Sequence, residues 1–194
     1  MGRPRVRKET THSLVQRLNG RSTIDVYEAA KAIWERDDAA TFWSVIHTLR
    51  RGERPMNRAA AAYALHLMHG NGAVPALEKS VGDKKEHPKV RGQAAESLAH
   101  NHRRKSHRIL LQNLDDPSKD VRFWCAYSLS EMSDVDALIP LRKLAENDHR
   151  IVKGFWSVSK EAKASIRKIR EQMRFKRGRH NHCIFCSGTR KKYV

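Results

Sequence analysis

The chain is poor in sulfur and has no long apolar run. Its three cysteines are an odd count and too few for a disulfide framework. No run of about 18 apolar residues occurs, so no membrane-spanning helix is expected. The basic N-terminus (Arg3, Arg5, Arg7, Lys8) has no apolar stretch behind it, which argues against a secretory signal and leaves the cytoplasm as the default location. Three catalytic signatures are also missing from the sequence: a Gly-rich phosphate loop, a nucleophile elbow and a His-Glu-x-x-His zinc motif. With no such motif, the sequence points to a protein that binds something rather than to an enzyme.

Positive charge is abundant. The formal net charge is +18. Residues 1–21 carry a net +5 and residues 174–194 a net +7, leaving +6 for residues 22–173. The reading is therefore a basic N-terminal arm (1–21), a folded body (22–173) and a basic C-terminal tail (174–194). Basic arms attract phosphate backbones or acidic surfaces without needing a fold.

The body repeats. Pro55 to Leu65, Pro88 to Leu98 and Pro117 to Leu129 align with one another. Their basic residues Arg58, Arg91 and Arg122 are followed by a degenerate fourth at Lys153, with spacings of 33, 31 and 31. Four residues on come Ala62, Ala95, Ala126 and Ser157; Leu65, Leu98 and Leu129 follow in the first three copies. Val121, Cys125, Leu129 and Met132 fall on one face of a helix, as do Val90, Ala94, Ala95 and Leu98. Alanine at the centre lets two helices approach closely. Asp115-Asp116-Pro117 and Glu86-His87-Pro88 read as turns. Each copy is a helical hairpin that cannot bury its apolar face alone, so neighbours supply the core.

The pattern Val-Arg-x-x-Ala-Ala-x-x-Leu after an Asp-x-Pro-like turn resembles HEAT repeats of the short, phycobilisome-lyase-like type. The resemblance implies an all-α, right-handed α-solenoid of about four to five hairpins. It also implies that the turn Asp and the Arg after Val form a ladder between repeats. Arg58, Arg91, Asp116 and Arg122 are then structural, with Asp116 paired to Arg122, Asp83 to Arg91 and Asp148 to Lys153. No His-Glu pair occurs in the sequence, so the iron site of the HEAT-type deoxyhypusine hydroxylases is not supported. Nothing marks a bilin site. A HEAT-like DNA glycosylase site cannot be aligned either.

At the ends, residues 22–51 read as an atypical first hairpin with Trp34, Phe42 and Trp43 plugging the core. Phe155, Ala162, Ile166, Ile169 and Met173 keep helical spacing, which predicts a closing helix to about 173. Cys125 falls on an apolar face and reads as core. On the second helices, Lys89, Gln93, Lys119 and Phe123 are expected to be exposed, while Trp124 and Tyr127 fit either core or surface.

Two local features carry possible chemistry. His180, His182, Cys183 and Cys186 hold a Cys-x-x-Cys pair with flanking histidines, half of a tetrahedral zinc site. A basic knob at His100, His102, Arg103, Arg104, Lys105, His107 and Arg108 falls at a turn between hairpins. With Arg174, Lys176, Arg177, Arg179, Arg190, Lys191 and Lys192 of the tail, it is a candidate contact for phosphate or an acidic partner. The functional expectation is a non-enzymatic binding scaffold for an acidic protein or peptide, with no cofactor required beyond a possible zinc. DNA or RNA binding is the alternative, and a glycosylase- or lyase-like enzyme comes third.

Overall fold

A computed structural model of the chain describes the backbone of residues 9–36, 38–68, 72–99 and 103–185, with side chains, Leu67 apart, as far as Phe175. Ten α-helices and one 3-10 turn (Val135–Ala137) make up the described residues. They run α1 (Thr11–Leu18), α2 (Thr23–Arg36), α3 (Ala39–Arg51), α4 (Pro55–Leu67), α5 (Ala73–Gly82), α6 (Pro88–Ser97), α7 (Arg104–Gln112), α8 (Lys119–Glu131), α9 (Leu138–Asn147) and α10 (Val158–Phe185). They form five hairpins, α1/α2 through α9/α10. The second helices α2, α4, α6, α8 and α10 pack in chain order as one layer. The first helices α1, α3, α5 and α7 follow one another in the other layer, and α9 packs on α10. This is an α-solenoid. No helix among the described residues is long and apolar enough to cross a membrane.

The local reasons are those of any capped helix. Pro55 and Pro88 open α4 and α6, where a missing N–H has no intrahelical partner to lose. The Asp38 carboxylate accepts the Thr41 N–H at 2.8 Å and fixes the start of α3. The core between the layers is rich in alanine. Ala59 to Ala62, Ala94, Ala95, Cys125 and Ala126 are all buried, so neighbouring second helices approach closely.

Four features differ from the sequence reading. Residues 11–18, read as part of a charged arm, form α1. Thr10 caps it, and Leu14 and Leu18 enter the core. The first hairpin is therefore α1/α2, not 22–51. At the other end α10 crosses residue 173 and runs to Phe185. The last copy is also displaced: residues 148–157 form an irregular connection closed by a bridge between Ile151 and Ser157. The equivalent of Val90 and Val121 is Val158, buried like them, and Lys153 lies exposed in the connection. A lysine at the repeat spacing drew the sequence alignment to the wrong segment.

Among the aromatic end plugs, Phe42 is buried but Trp43 is 62% exposed, with its ring edge-on to Phe42. Phe155 sits in the connection before α10 and not on the helix. Phe123, expected at the surface, is buried against Val152 and Val158.

Candidate functional site

Two ladders fix the register of the second helices, and that register determines which side chains share the surface. The first is ionic. The Arg58 guanidinium grips Glu86 through two bonds of 2.8 Å. Arg91 donates to Asp116 and to Asn113 Oδ1, the latter at 3.0 Å. Arg122 Nε donates to Asp148 at 2.6 Å, and its Nη1 donates to the Asp116 backbone carbonyl. Each arginine thus reaches the carboxylate in the turn of the next hairpin. The pairings expected within one repeat are corrected by one step. Asp116 takes Arg91, Asp148 takes Arg122 and Arg150, and the Asp83 carboxylate accepts the nearby Lys85 N–H. Sequence spacing cannot separate these registers, because a carboxylate in every turn satisfies both.

Burial penalises the Asp116 carboxylate. The Arg91 and Lys84 hydrogen bonds outweigh that penalty and hold its pKa below the usual range. Asp148 is held low in the same way by Arg122 and Arg150. The arginine ladder is structural, and its groups are satisfied by one another. A cleft of about 460 Å³ opens beside it, with Pro117, Pro140, Lys143 and Leu144 in its wall. Asp116 and Asp148, which also line it, are already paired within the ladder.

The second ladder was missed in the sequence. Ser97, Ser128 and Ser165 hydroxyls donate to the carbonyls of Ala62, Ala95 and Ala126 at 2.9, 2.8 and 3.0 Å. All three serines are buried. The recurring serine two residues after the repeat alanine in the middle copies was the available signal.

These contacts place Tyr63, Glu96, Tyr127 and Ala164 at equivalent positions on α4, α6, α8 and α10. One turn earlier, Ala60, Gln93, Trp124 and Glu161 form a parallel row. Adjacent helix axes lie about 8–10 Å apart, so side chains of this size meet across the rows. Tyr27 on α2 sits edge-on to Tyr63 with centroids 5.9 Å apart. Trp124 sits edge-on to Tyr127 at 5.7 Å. Glu96 lies between the two pairs, half-buried, and accepts the Gln93 amide at 2.6 Å. Burial pushes its carboxyl above the ordinary glutamate range, only partly offset by Gln93. The Tyr27 hydroxyl is pushed up by burial and by the Glu96 charge, and that of Tyr127 by burial and by the charges of Glu131, to which it hydrogen-bonds, and Glu96. Further along, Glu161 accepts the Trp156 indole N–H at 2.9 Å, and Lys168 pairs with Glu131. The face is aromatic and acidic on a chain of net charge +18.

The other candidates fare differently. Arg103, Arg104, Lys105 and Arg108 are exposed at the start of α7, with Lys105 Nζ 3.6 Å from the buried Glu78. His107 turns aside to Asp134 at 2.7 Å, while His100 and His102 lie outside the described residues. Arg174 is exposed on α10. The backbone of Lys176, Arg177, Arg179, His180, His182 and Cys183 belongs to α10, but their side chains lie outside the described residues, as do Cys186, Arg190, Lys191 and Lys192 entirely. Among the described residues no three His, Cys, Asp or Glu side chains converge as metal ligands. Cys125 is core, and burial pushes its thiol pKa up.

The fold and the repeat register together define a HEAT-type array. The family described as HEAT repeats matches residues 83–154. Deoxyhypusine hydroxylase of Arabidopsis thaliana is 41% identical over 81 residues, which is 40% of this chain and 26% of that protein. The chain therefore spans about a quarter of that relative's length. The structure of human deoxyhypusine hydroxylase in complex with glycerol superposes with a TM-score of 0.53 at 24% identity, over 66% of this chain and 45% of that one. Residues 83–154 thus carry HEAT repeats, inside an array with the fold of a helical-repeat solenoid.

These relatives overturn one expectation. A non-enzymatic scaffold was anticipated because no catalytic motif is visible, yet the curated relative is a HEAT-repeat enzyme. Neither of these two relatives is named for nucleic-acid binding. The motif search failed because the repeat carries the likeness, and the repeat alone does not distinguish an enzyme from a scaffold.

Proposed function

We propose that this chain has an enzymatic role on an amine-bearing protein side chain, of the kind named by its hydroxylase relative, with the second-helix face holding and orienting that side chain. The observation that carries the reading is Glu96, a carboxylate without a counter-cation among the described residues, set between two aromatic pairs. The 41% identity over 81 residues to deoxyhypusine hydroxylase supports the enzymatic part. The partner this face suits is cationic, so the acidic partner expected from net charge is not what its chemistry favours.

The iron site of HEAT-type hydroxylases does not fit the described residues. The sequence has no His-Glu pair, and no three potential ligands converge. The function assigned to these residues is therefore substrate holding. A carboxylate in a half-buried setting attracts an ammonium group more strongly than one in open water, and ring faces add to that attraction.

The test uses the full chain and three peptides of one sequence carrying deoxyhypusine, lysine or norleucine at one position. Calorimetry reads binding, and mass spectrometry with added ferrous iron reads gain of an oxygen atom. Tighter binding of the amine-bearing peptides than of the norleucine peptide is expected, and oxygen gain is expected only where residues beyond the described ones complete an iron site. Binding without oxygen gain removes hydroxylation but keeps substrate holding. Equal binding of the norleucine peptide, with no oxygen gain, refutes the proposal.

A further inference from the structure

We infer that Trp124, Tyr127, Phe155 and Trp156, rimmed by Lys153 and Lys160, form a docking surface for a protein segment that carries an apolar anchor side chain flanked by Asp or Glu. This surface does not depend on the enzymatic role proposed above.

The first argument is continuity. The rings touch one another in a chain. Trp124 meets Phe155 edge-on with centroids 5.1 Å apart, and meets Tyr127 at 5.7 Å. Buried Phe123 lies 5.1 Å from Trp124, 5.4 Å from Phe155 and 6.3 Å from Trp156. Yet Phe155 is 49% exposed, Trp156 44% and nearby Ile151 66%. Trp124 and Tyr127 are half-buried. Large apolar side chains gathered at a surface mark an interaction site, where single scattered ones do not. The core beneath is closed without them, by Phe123, Val152 and Val158.

The second argument is that the surface is built. Phe155 and Trp156 belong to the connection over 148–157, which is longer than the turns that lead into α4, α6 and α8. Its ends are tied together. The Val158 N–H donates to the Arg150 carbonyl at 3.1 Å, and the Ser159 N–H to the Asp148 carbonyl at 2.7 Å. At the tip, the Phe155 N–H donates to the Val152 carbonyl at 3.0 Å and closes a tight turn through Lys153 and Gly154. Gly154 has φ +84°, a conformation that only a residue without Cβ adopts freely. The turn sets Phe155 against Trp124. Gly92 leaves room for the indole, since a Cβ there would lie 3.1 Å from Trp124 Cδ1.

The third argument is charge. Residues 149–160 hold Arg150, Lys153 and Lys160 and no acid. Arg150 is engaged by Asp148. Lys153 is exposed and has no partner among the described residues, and Lys160 Nζ sits 5.2 Å from the centre of the Trp156 ring. The neighbouring carboxylates are occupied. Glu161 accepts the Trp156 indole N–H, Asp148 pairs with Arg122, and Glu131 pairs with Lys168. Asp120 lies in the first turn of α8, where the helix N-terminus stabilises it. Cations beside apolar rings are complemented by carboxylates beside an apolar side chain. A second copy of this chain is the wrong partner, because two chains of net charge +18 repel each other.

Ring geometry selects a side chain over a nucleobase. Phe123, Tyr127 and Phe155 meet Trp124 at interplanar angles of 79°, 87° and 83°. Such packing presents edges and the angles between them, whereas a stacked base needs an open flat face. The face of Trp156 is already held by Lys160.

The experiment displays random dodecapeptides on phage to the full chain, then measures synthetic versions of the selected peptides by calorimetry. A large apolar residue flanked by Asp or Glu is expected in the selected peptides. Phe155→Ser and the double reversal Lys153→Glu/Lys160→Glu are each expected to weaken their binding about tenfold. Both lysines are exposed, and Lys160 lies in the first turn of α10, where a carboxylate suits the helix. The reversal therefore keeps the fold, which circular dichroism checks, and it reports the site even where Phe155→Ser disturbs the connection. Selected peptides that bind both variants as tightly as the parent overturn the proposal. A selection that enriches nothing, or only basic or uncharged peptides, overturns it too. The same variants are titrated with single-stranded oligouridine and with phosphatidylcholine–phosphatidylserine vesicles. Weakened binding of either probe, with peptide binding unchanged, assigns the surface to nucleic acid or lipid and likewise overturns the protein partner.

Discussion

Asp116→Asn tests the ionic ladder most directly. The Asp116 carboxylate has no exposed surface, and Arg91 is 3% exposed. One carboxylate oxygen accepts from both Arg91 and Lys84, the other from the Ser118 N–H at 3.0 Å. Asparagine preserves the shape and one acceptor, but it leaves Arg91 charged inside the array without a counter-ion. Breaking a buried pair from one side costs about 3–5 kcal/mol, because the remaining charge is uncompensated. Asn113 Oδ1 still accepts from Arg91, so the lower end, about 3 kcal/mol, is expected. For a chain of this size that is a fall in Tm of roughly 6–12 °C. Lys84 is 55% exposed and can swing into water, so Lys84→Met costs under about 1 kcal/mol. The assay is urea unfolding by circular dichroism, with the m-value checked for constancy. Acid titration adds a sign. Asp116 is held below its ordinary pKa, so its contribution is complete above the ordinary carboxylate range and is lost as pH falls through the depressed value. The gap between parent and variant must therefore close in acid. A loss below about 1 kcal/mol, or one equal to that of Lys84→Met, refutes a buried-charge account.

Further outcomes follow from the same geometry. The double variant Arg91→Met/Asp116→Leu recovers most of the stability lost in Asp116→Asn, read in the same urea series, because both charges leave together. Ser128→Ala removes the bond to the Ala95 carbonyl and costs about 1 kcal/mol in thermal unfolding. Gly92→Val forces Trp124 to move, costs about 1–3 kcal/mol and shifts the indole emission; unchanged emission would place Trp124 elsewhere. Cation binding at Glu96 weakens as pH falls, beginning above the ordinary glutamate range because burial raises its carboxyl, and calorimetry across pH shows the midpoint. Tyr27 and Tyr127 stay neutral through that window, since their hydroxyls are pushed up.

The helical hairpins were legible because repetition multiplies a weak signal. Val90, Ala95 and Leu98 recur as Val121, Ala126 and Leu129, and all six are buried. The ladder arginines were legible as a type, but their partners were not. A carboxylate in every turn fits either the same hairpin or the next, and only packing chooses. The first helix was hidden by composition. An eight-residue helix with two buried leucines reads as an arm when arginines surround it. The last repeat was hidden by an insertion. The connection over 148–157 moves Val158 out of the spacing, and Lys153 took its place.

The candidate site was illegible for a different reason. Tyr63, Glu96 and Tyr127 are distant in sequence and become neighbours only once the repeats are stacked in register. Sequence reading searched for charge and found it at the ends, where Lys and Arg are numerous. The residues of this face are few and individually ordinary; Tyr63 and Tyr127 look like core or surface aromatics, and Glu96 like one more solvated acid. What distinguishes Glu96 is a comparison possible only in three dimensions: the buried ladder carboxylates Asp116 and Asp148 are matched by an arginine of the preceding second helix, and among the described residues Glu96 is met by the neutral Gln93 amide. A solenoid makes that comparison sharp, because equivalent positions on successive helices are controls for one another. At the position of Glu96 the neighbouring helices carry tyrosine, tyrosine and alanine, so the charge answers no structural requirement of the repeat. A half-buried charge that breaks the repeat, in a row with tyrosines on the neighbouring helices, is better explained by what it binds than by the packing of the array.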